Sequence, residues 1–144
     1  MEITRKDTYK YLNNEVIPLF RELGFSGSLP HFRRIKGETI DLMTFQFDRN
    51  GGGFLIELAK AKNNAFTTHW GEKIEPKKLT AYDVNTRERI HPKGILENSN
   101  TEDWFRYDTT SFFNNPLNKI KKQIIKNIKV IESWFAVANP TTHN

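Results

Sequence analysis

Apolar side chains at Leu12, Val16, Leu19, Phe20 and Leu23 recur at helical spacing and predict an amphipathic helix over residues 4–23. Gly24 follows the last of them as a C-terminal stop. Pro18 lies inside the pattern and cannot donate to the Asn14 carbonyl, so a kink or break is expected there. The period then changes. Ser26 to Pro30 reads as a turn and His31 to Ile35 as a short strand. Lys36-Gly37-Glu38 reads as a second turn, and Thr39 to Asp48 as an alternating strand. After the turn Arg49-Asn50-Gly51-Gly52-Gly53, a third strand is expected over Phe54 to Lys60. Short links of this kind join antiparallel neighbours, so the three form a β-meander.

Residues 61–81 carry no period and read as irregular, and Tyr82 to Ile90 reads as a fourth strand. Asn115-Pro116 opens a second helix running to Ala138, with Leu117, Ile120, Ile124, Ile128, Ile131 and Phe135 on one face. The tail from Asn139 to Asn144 is expected to fray. Two helices and a sheet each have an apolar face to cover. The fold class is therefore α+β, an antiparallel meander packed against N-terminal and C-terminal amphipathic helices. One domain is expected over residues 1–144, ordered from about 6 to 137.

Composition narrows the chemistry. The chain has no cysteine, which removes disulfides, thiolate catalysis and Cys-type zinc sites. No apolar stretch approaches the ~20 residues of a membrane span. The start of the chain lacks the apolar centre of a signal peptide, so a cytoplasmic protein without membrane contact is expected. Its four histidines are far apart and form no i, i+4 pair, so no metal site or cofactor is expected. Gly51-Gly52-Gly53 lacks the Lys-Ser/Thr of a phosphate loop and is read as a turn. Glu57 and Lys60 resemble part of a metal-nuclease strand, but a spacing of three sends them to opposite faces.

Alternation along the strands sorts the remaining candidates. Arg34 shares a face with Phe32, which points to the core, and Arg33 faces the other way. Arg34 then lies at the core's rim, pairs with a carboxylate such as Asp41, or grips an outside anion. Gln46 lies opposite Phe45 and Phe47, as an exposed contact or as a buried amide needing partners. Arg87 and Arg89 share one face and could form a small basic patch, with Glu88 on the other. Trp104 and Phe105 follow a polar loop as core plug, rim or ligand platform. Lys119, Lys122, Lys126 and Lys129 form a stripe opposite the apolar face of the last helix. That stripe is a solvated face or a contact for nucleic acid, and the formal net charge of +5 permits the latter.

Leu23-Gly24-Phe25, Phe32-Arg33-Arg34, Phe45-Gln46, Thr86-Arg87 and Trp104-Phe105 occur in an order that resembles the bacterial domain-of-unknown-function family 4304. The likeness spans roughly residues 6 to 135. It departs where the family's second tryptophan is Phe105 and where the segment after Lys60 is polar and rich in asparagine. The resemblance implies a compact α+β domain of small bacterial intracellular proteins, with an interaction or immunity-type role and no established activity. It also implies Arg34, Gln46, Arg87 and Trp104 as the site positions. The function expected is a non-enzymatic module that binds a protein partner. The alternatives are nucleic-acid binding through the lysine stripe, and a small-ligand or enzyme pocket near Arg34, Gln46 and Trp104.

Overall fold

The first apolar stripe folds as two helices, α1 (Arg5–Glu15) and α2 (Ile17–Glu22), in the computed structural model, which describes residues 2–84, 86–109 and 115–141. Thr4 caps α1 reciprocally: its hydroxyl accepts from the Asp7 N–H (3.1 Å), and the Asp7 carboxylate accepts from the Thr4 N–H (2.9 Å). The break falls at Val16, which puts Pro18 in the first turn of α2, where a missing N–H is tolerated. Gly24 ends α2 with φ 99°, and the Phe25 N–H donates back to the Phe20 carbonyl (3.0 Å).

The meander forms with one strand more than expected. Ser26–Ser28, read as a turn, is an edge strand β1 on β2 (His31–Lys36), which pairs in turn with β3 (Thr39–Phe47). β4 (Gly53–Lys62) follows. With Glu88–Ile90 as β7, the sheet order is β1-β2-β3-β4-β7 with every pair antiparallel. β7 is only three residues long, and β8 (Phe105–Arg106) pairs with the start of β4. The fourth strand expected from Tyr82 is shorter because Ala81–Asp83 is a helical turn, fixed by a reciprocal cap between Thr80 and Asp83. Residues 61–81, read as irregular, contain the small ladder of β5 (Phe66–Thr67) with β6 (Lys73–Ile74). The last helix is α3 (Pro116–Val137).

Alternation gives the sheet two different faces. Phe32, Met43, Phe45, Phe54, Ile56 and Leu58 point to the helices, against Leu12, Phe20, Ile120, Ile124, Ile131 and Phe135. Ile40, Leu42, Ala59 and Ala61 point the other way and meet Phe66, Leu79, Ala81 and Val84. Central strands covered on both sides explain the unbroken apolar run Phe54-Leu55-Ile56. Seven phenylalanines are almost wholly buried, each contributing roughly 1.5–3 kcal/mol relative to exposure. On α3, Asn127 is buried where the apolar stripe favoured Ile128, and its amide donates to the carbonyls of Pro92 and Gln123.

Two connections are tighter than the sequence suggests. At Gly52, φ is 88°, the left-handed region that favours glycine, and a Cβ would press on the Asp108 carboxylate and the Arg106 guanidinium, so a side chain here would strain the turn before β4 and displace that pair. The tail does not fray at once. The Thr141 N–H donates to the Lys60 carbonyl (2.8 Å), laying Thr141 beside the end of β4, while residues 142–144 lie outside those described. Among the described residues no helix is long and apolar enough to cross a membrane.

Candidate functional site

Arg34 lies on the helix face and is 5% exposed. Its Nε and Nη2 donate to Asp41 Oδ2 (2.9 and 2.8 Å), and its Nη1 and Nη2 donate to Glu132 on α3 (3.0 and 2.7 Å). Nη1 also donates to the Leu23 carbonyl at the end of α2 (3.1 Å). A guanidinium has five N–H donors, and all are engaged. The ring centroid of Phe25 stands 4.3 Å from the guanidinium carbon and that of Phe135 5.5 Å from it. Burial works against the charge, but the bonds to Glu132 and Asp41 outweigh it and hold the Arg34 pKa above its ordinary value. Arg34 therefore ties β2, β3, α2 and α3 together and has no donor left for an outside anion. Asp41 is the partner that strand pairing suggested. Glu132 is one that it could not.

The opposite face carries a different arrangement. Register places His31, Thr44, Glu57 and Arg89 in one row across β2, β3, β4 and β7. The His31 Nδ1 and the Thr44 hydroxyl are hydrogen bonded at 2.8 Å. Glu57 is 1% exposed, and its two oxygens meet two arginines at the sheet's edge. Arg89 Nε donates to Oε1 (3.2 Å), while Arg87 Nη1 stands 3.1 Å from Oε2, close enough for an ion pair but without hydrogen-bond alignment. Arg87 and Arg89 keep 34% and 47% of their side-chain surface. Tyr82, on the turn over the row, packs edge-on to His31 (5.3 Å) and lies 5.6 Å from the Arg87 guanidinium. Burial, then the Glu57 charge, raises the Tyr82 pKa, and burial lowers that of His31.

Beside this row opens a cleft of about 490 Å³ whose wall includes Glu57, Arg87, Arg89 and His91. His91 is 1% exposed, and neither ring nitrogen has a hydrogen-bond partner. Burial lowers its pKa and favours the neutral ring. Chemically, the cleft offers guanidinium donors at its mouth and a neutral imidazole in its wall. Lys60 takes no part: it leaves the helix face and donates to the Phe135 carbonyl near the end of α3 (2.6 Å). Glu57 and Lys60 thus diverge, as their spacing requires.

The four positions expected to share a site are dispersed. Gln46 lies on the same face as Glu57, in the row beyond Thr44, with a buried Oε1 that has no partner. Arg87 holds Glu57. Trp104 is buried at a separate cleft of about 260 Å³ with Lys119, lined by none of the other three. Lys119, Lys122, Lys126 and Lys129 are all exposed along α3 and make no ion pair among the described residues. No group of three or more histidine and acidic side chains that could hold a metal ion occurs among the described residues. Arg89 and His91 complete the cluster. The spacing of Arg87 and Arg89 signalled a shared face, but nothing local pointed to Glu57.

No curated protein and no solved structure matches the chain. The family model described as a domain of unknown function (DUF4304) matches residues 8–136, which covers both arginine clusters, all of α2 and most of α1 and α3, and the chain belongs to that family.

Proposed function

We propose that the chain is a non-enzymatic binding module that docks a protein partner on the sheet edge formed by Arg87 and Arg89. One observation carries the reading. A buried carboxylate holds two half-exposed guanidiniums in place at the mouth of a cleft, with most of their donors unused. Arginines fixed in this way lose little side-chain freedom on binding, which is the usual handicap of a charged interface residue. Gln46 and Tyr82 extend the same face as adaptable polar and aromatic contacts. A bacterial cytoplasmic interaction or immunity-type role, the character implied by the family resemblance, goes with this reading.

Nucleic-acid binding through Lys119, Lys122, Lys126 and Lys129 is the rival, favoured by their exposure and lack of ion pairs. Affinity capture from host lysate separates the two, run with and without nuclease at low and high salt. The expected result is one defined protein that survives nuclease. It is lost with Arg87→Glu/Arg89→Glu and kept with Lys122→Glu/Lys126→Glu. Nucleic acid recovered only at low salt and lost with the lysine variant overturns the reading. So does a protein bound equally by all three forms, or none bound by any.

A further inference from the structure

We infer that the partner segment received by Arg87 and Arg89 presents a carboxylate, that is, an acidic side chain of a peptide. This rests on the binding reading above and names its chemistry. Arg89 spends its Nε–H on Glu57, and Arg87 sets Nη1 against the other oxygen as an ion pair. Nε and Nη2 of Arg87, and both Nη atoms of Arg89, make no hydrogen bond among the described residues. Glu57 is 1% exposed and fixed in the middle of β4, so it sets the two guanidiniums at one edge without closing their outer sides. A planar guanidinium fork matches a planar carboxylate with two parallel hydrogen bonds. The cleft behind them holds a buried imidazole with both nitrogens unpartnered, which supplies one more donor or acceptor to a group that enters.

The charge balance decides against phosphate. Two guanidiniums face the Glu57 carboxylate, and Glu88 and Glu97 stand at the rim of the same cleft. Glu88 is partly turned away, because its Oε1 accepts from the Arg89 backbone N–H (3.0 Å). Two guanidiniums against three carboxylates leave the cleft no surplus positive charge, so binding rests on the directed N–H donors, and a phosphate of charge about −2 meets twice the opposition that a monoanion does.

The test is a titration of ¹⁵N-labelled protein followed at the arginine Nε–H signals. The probes are a short peptide with one central Glu and neutral flanks, its Gln counterpart, and inorganic phosphate. The Glu peptide is expected to shift the Arg87 and Arg89 signals saturably and to bind at least about tenfold more tightly than the Gln peptide. Phosphate should bind more weakly than the Glu peptide. Arg87→Lys/Arg89→Lys keeps both charges over Glu57, and hence the fold, but should lose most of the affinity because the fork is gone. Equal binding of the Gln peptide, tighter binding of phosphate, or no saturable shift overturns the inference. If lysate capture still depends on Arg87 and Arg89 while the Glu peptide fails, the docking surface stands and only the carboxylate is wrong. If capture is indifferent to both arginines, the docking surface itself is wrong.

Discussion

The two faces of the β3–β4 pair carry the same ingredients in inverted arrangement. On the helix face a guanidinium is buried and carboxylates come to it from β3 and α3, so Arg34 ends with five hydrogen bonds. On the second face a carboxylate is buried and guanidiniums come to it from the sheet edge, so the Glu57 charge is paired twice, by one hydrogen bond from Arg89 and an ion pair with Arg87, while both arginines keep unused donors. The buried member decides what the cluster can do. A buried arginine must have every donor met by its own chain, since nothing else reaches it. A buried carboxylate presents only two oxygens, and long arginine side chains reach them from the surface while keeping other donors free. The first cluster is a structural tie, and the second is open to a partner.

The largest effect should come from removing Arg34. Arg34→Ala leaves Asp41, 0% exposed, as an uncompensated buried charge, with an expected loss of about 3–5 kcal/mol in unfolding free energy. Urea denaturation should show a lower midpoint with little change in slope. Arg34→Lys should recover only part of this, because three donors on a compact ammonium replace the five bonds that the planar fork directs to Asp41, Glu132 and the Leu23 carbonyl. Glu57→Gln tests the other face. It removes the buried charge itself, and Arg87 and Arg89 can return to water, so a loss of about 1–2 kcal/mol is expected from the weakened hydrogen bonds. If Glu57→Gln costs more than Arg34→Ala, the inverted roles assigned to the two clusters are wrong.

Half of the first cluster could be read from the chain. The turn at Lys36-Gly37-Glu38 fixes the pairing of Arg34 with Asp41, seven residues apart, and alternation puts both beside Phe32. Glu132 is 98 residues from Arg34, and no local pattern says which strand α3 will cross. The second cluster was less legible for the same reason. Arg87 and Arg89 visibly share a face, but their meeting with Glu57 depends on β7 pairing with β4 across a long segment. That segment hid its own elements: strands of two residues are too short to show a period. The turn at Ala81–Asp83 did leave a signal, Thr80 followed three residues later by Asp83, which marks a reciprocal cap. Only the order of motifs along the chain joins Gln46 and Trp104 to Arg34, and alternation sets Gln46 on the other face from it.

The smallest effect separates the faces by pH. Both histidines with lowered pKa values, His31 and His91, lie on the second face, and burial is the main cause for each. At His31 the charges of Asp83 and Arg33 oppose each other; at His91 the Gly94 and Arg89 backbone and the Asp103 charge favour the proton while the Arg89 charge opposes it, and burial outweighs them at both. A histidine whose folded pKa lies below its unfolded value takes up its proton more readily when unfolded. Its contribution is therefore complete above the ordinary value of 6.5 and is lost as pH falls below it toward the folded pKa. Stability measured by urea denaturation should decline between about pH 7 and pH 5. The decline should shrink in His91→Gln and shrink further in His31→Gln/His91→Gln. The depressed carboxyl pKa of Asp108 acts only below 3.8, outside this window, and the Arg34 cluster holds no histidine, so Arg34→Lys should lower the whole curve without changing its slope there. A slope that survives loss of both histidines would place the pH sensitivity elsewhere and remove this distinction between the faces.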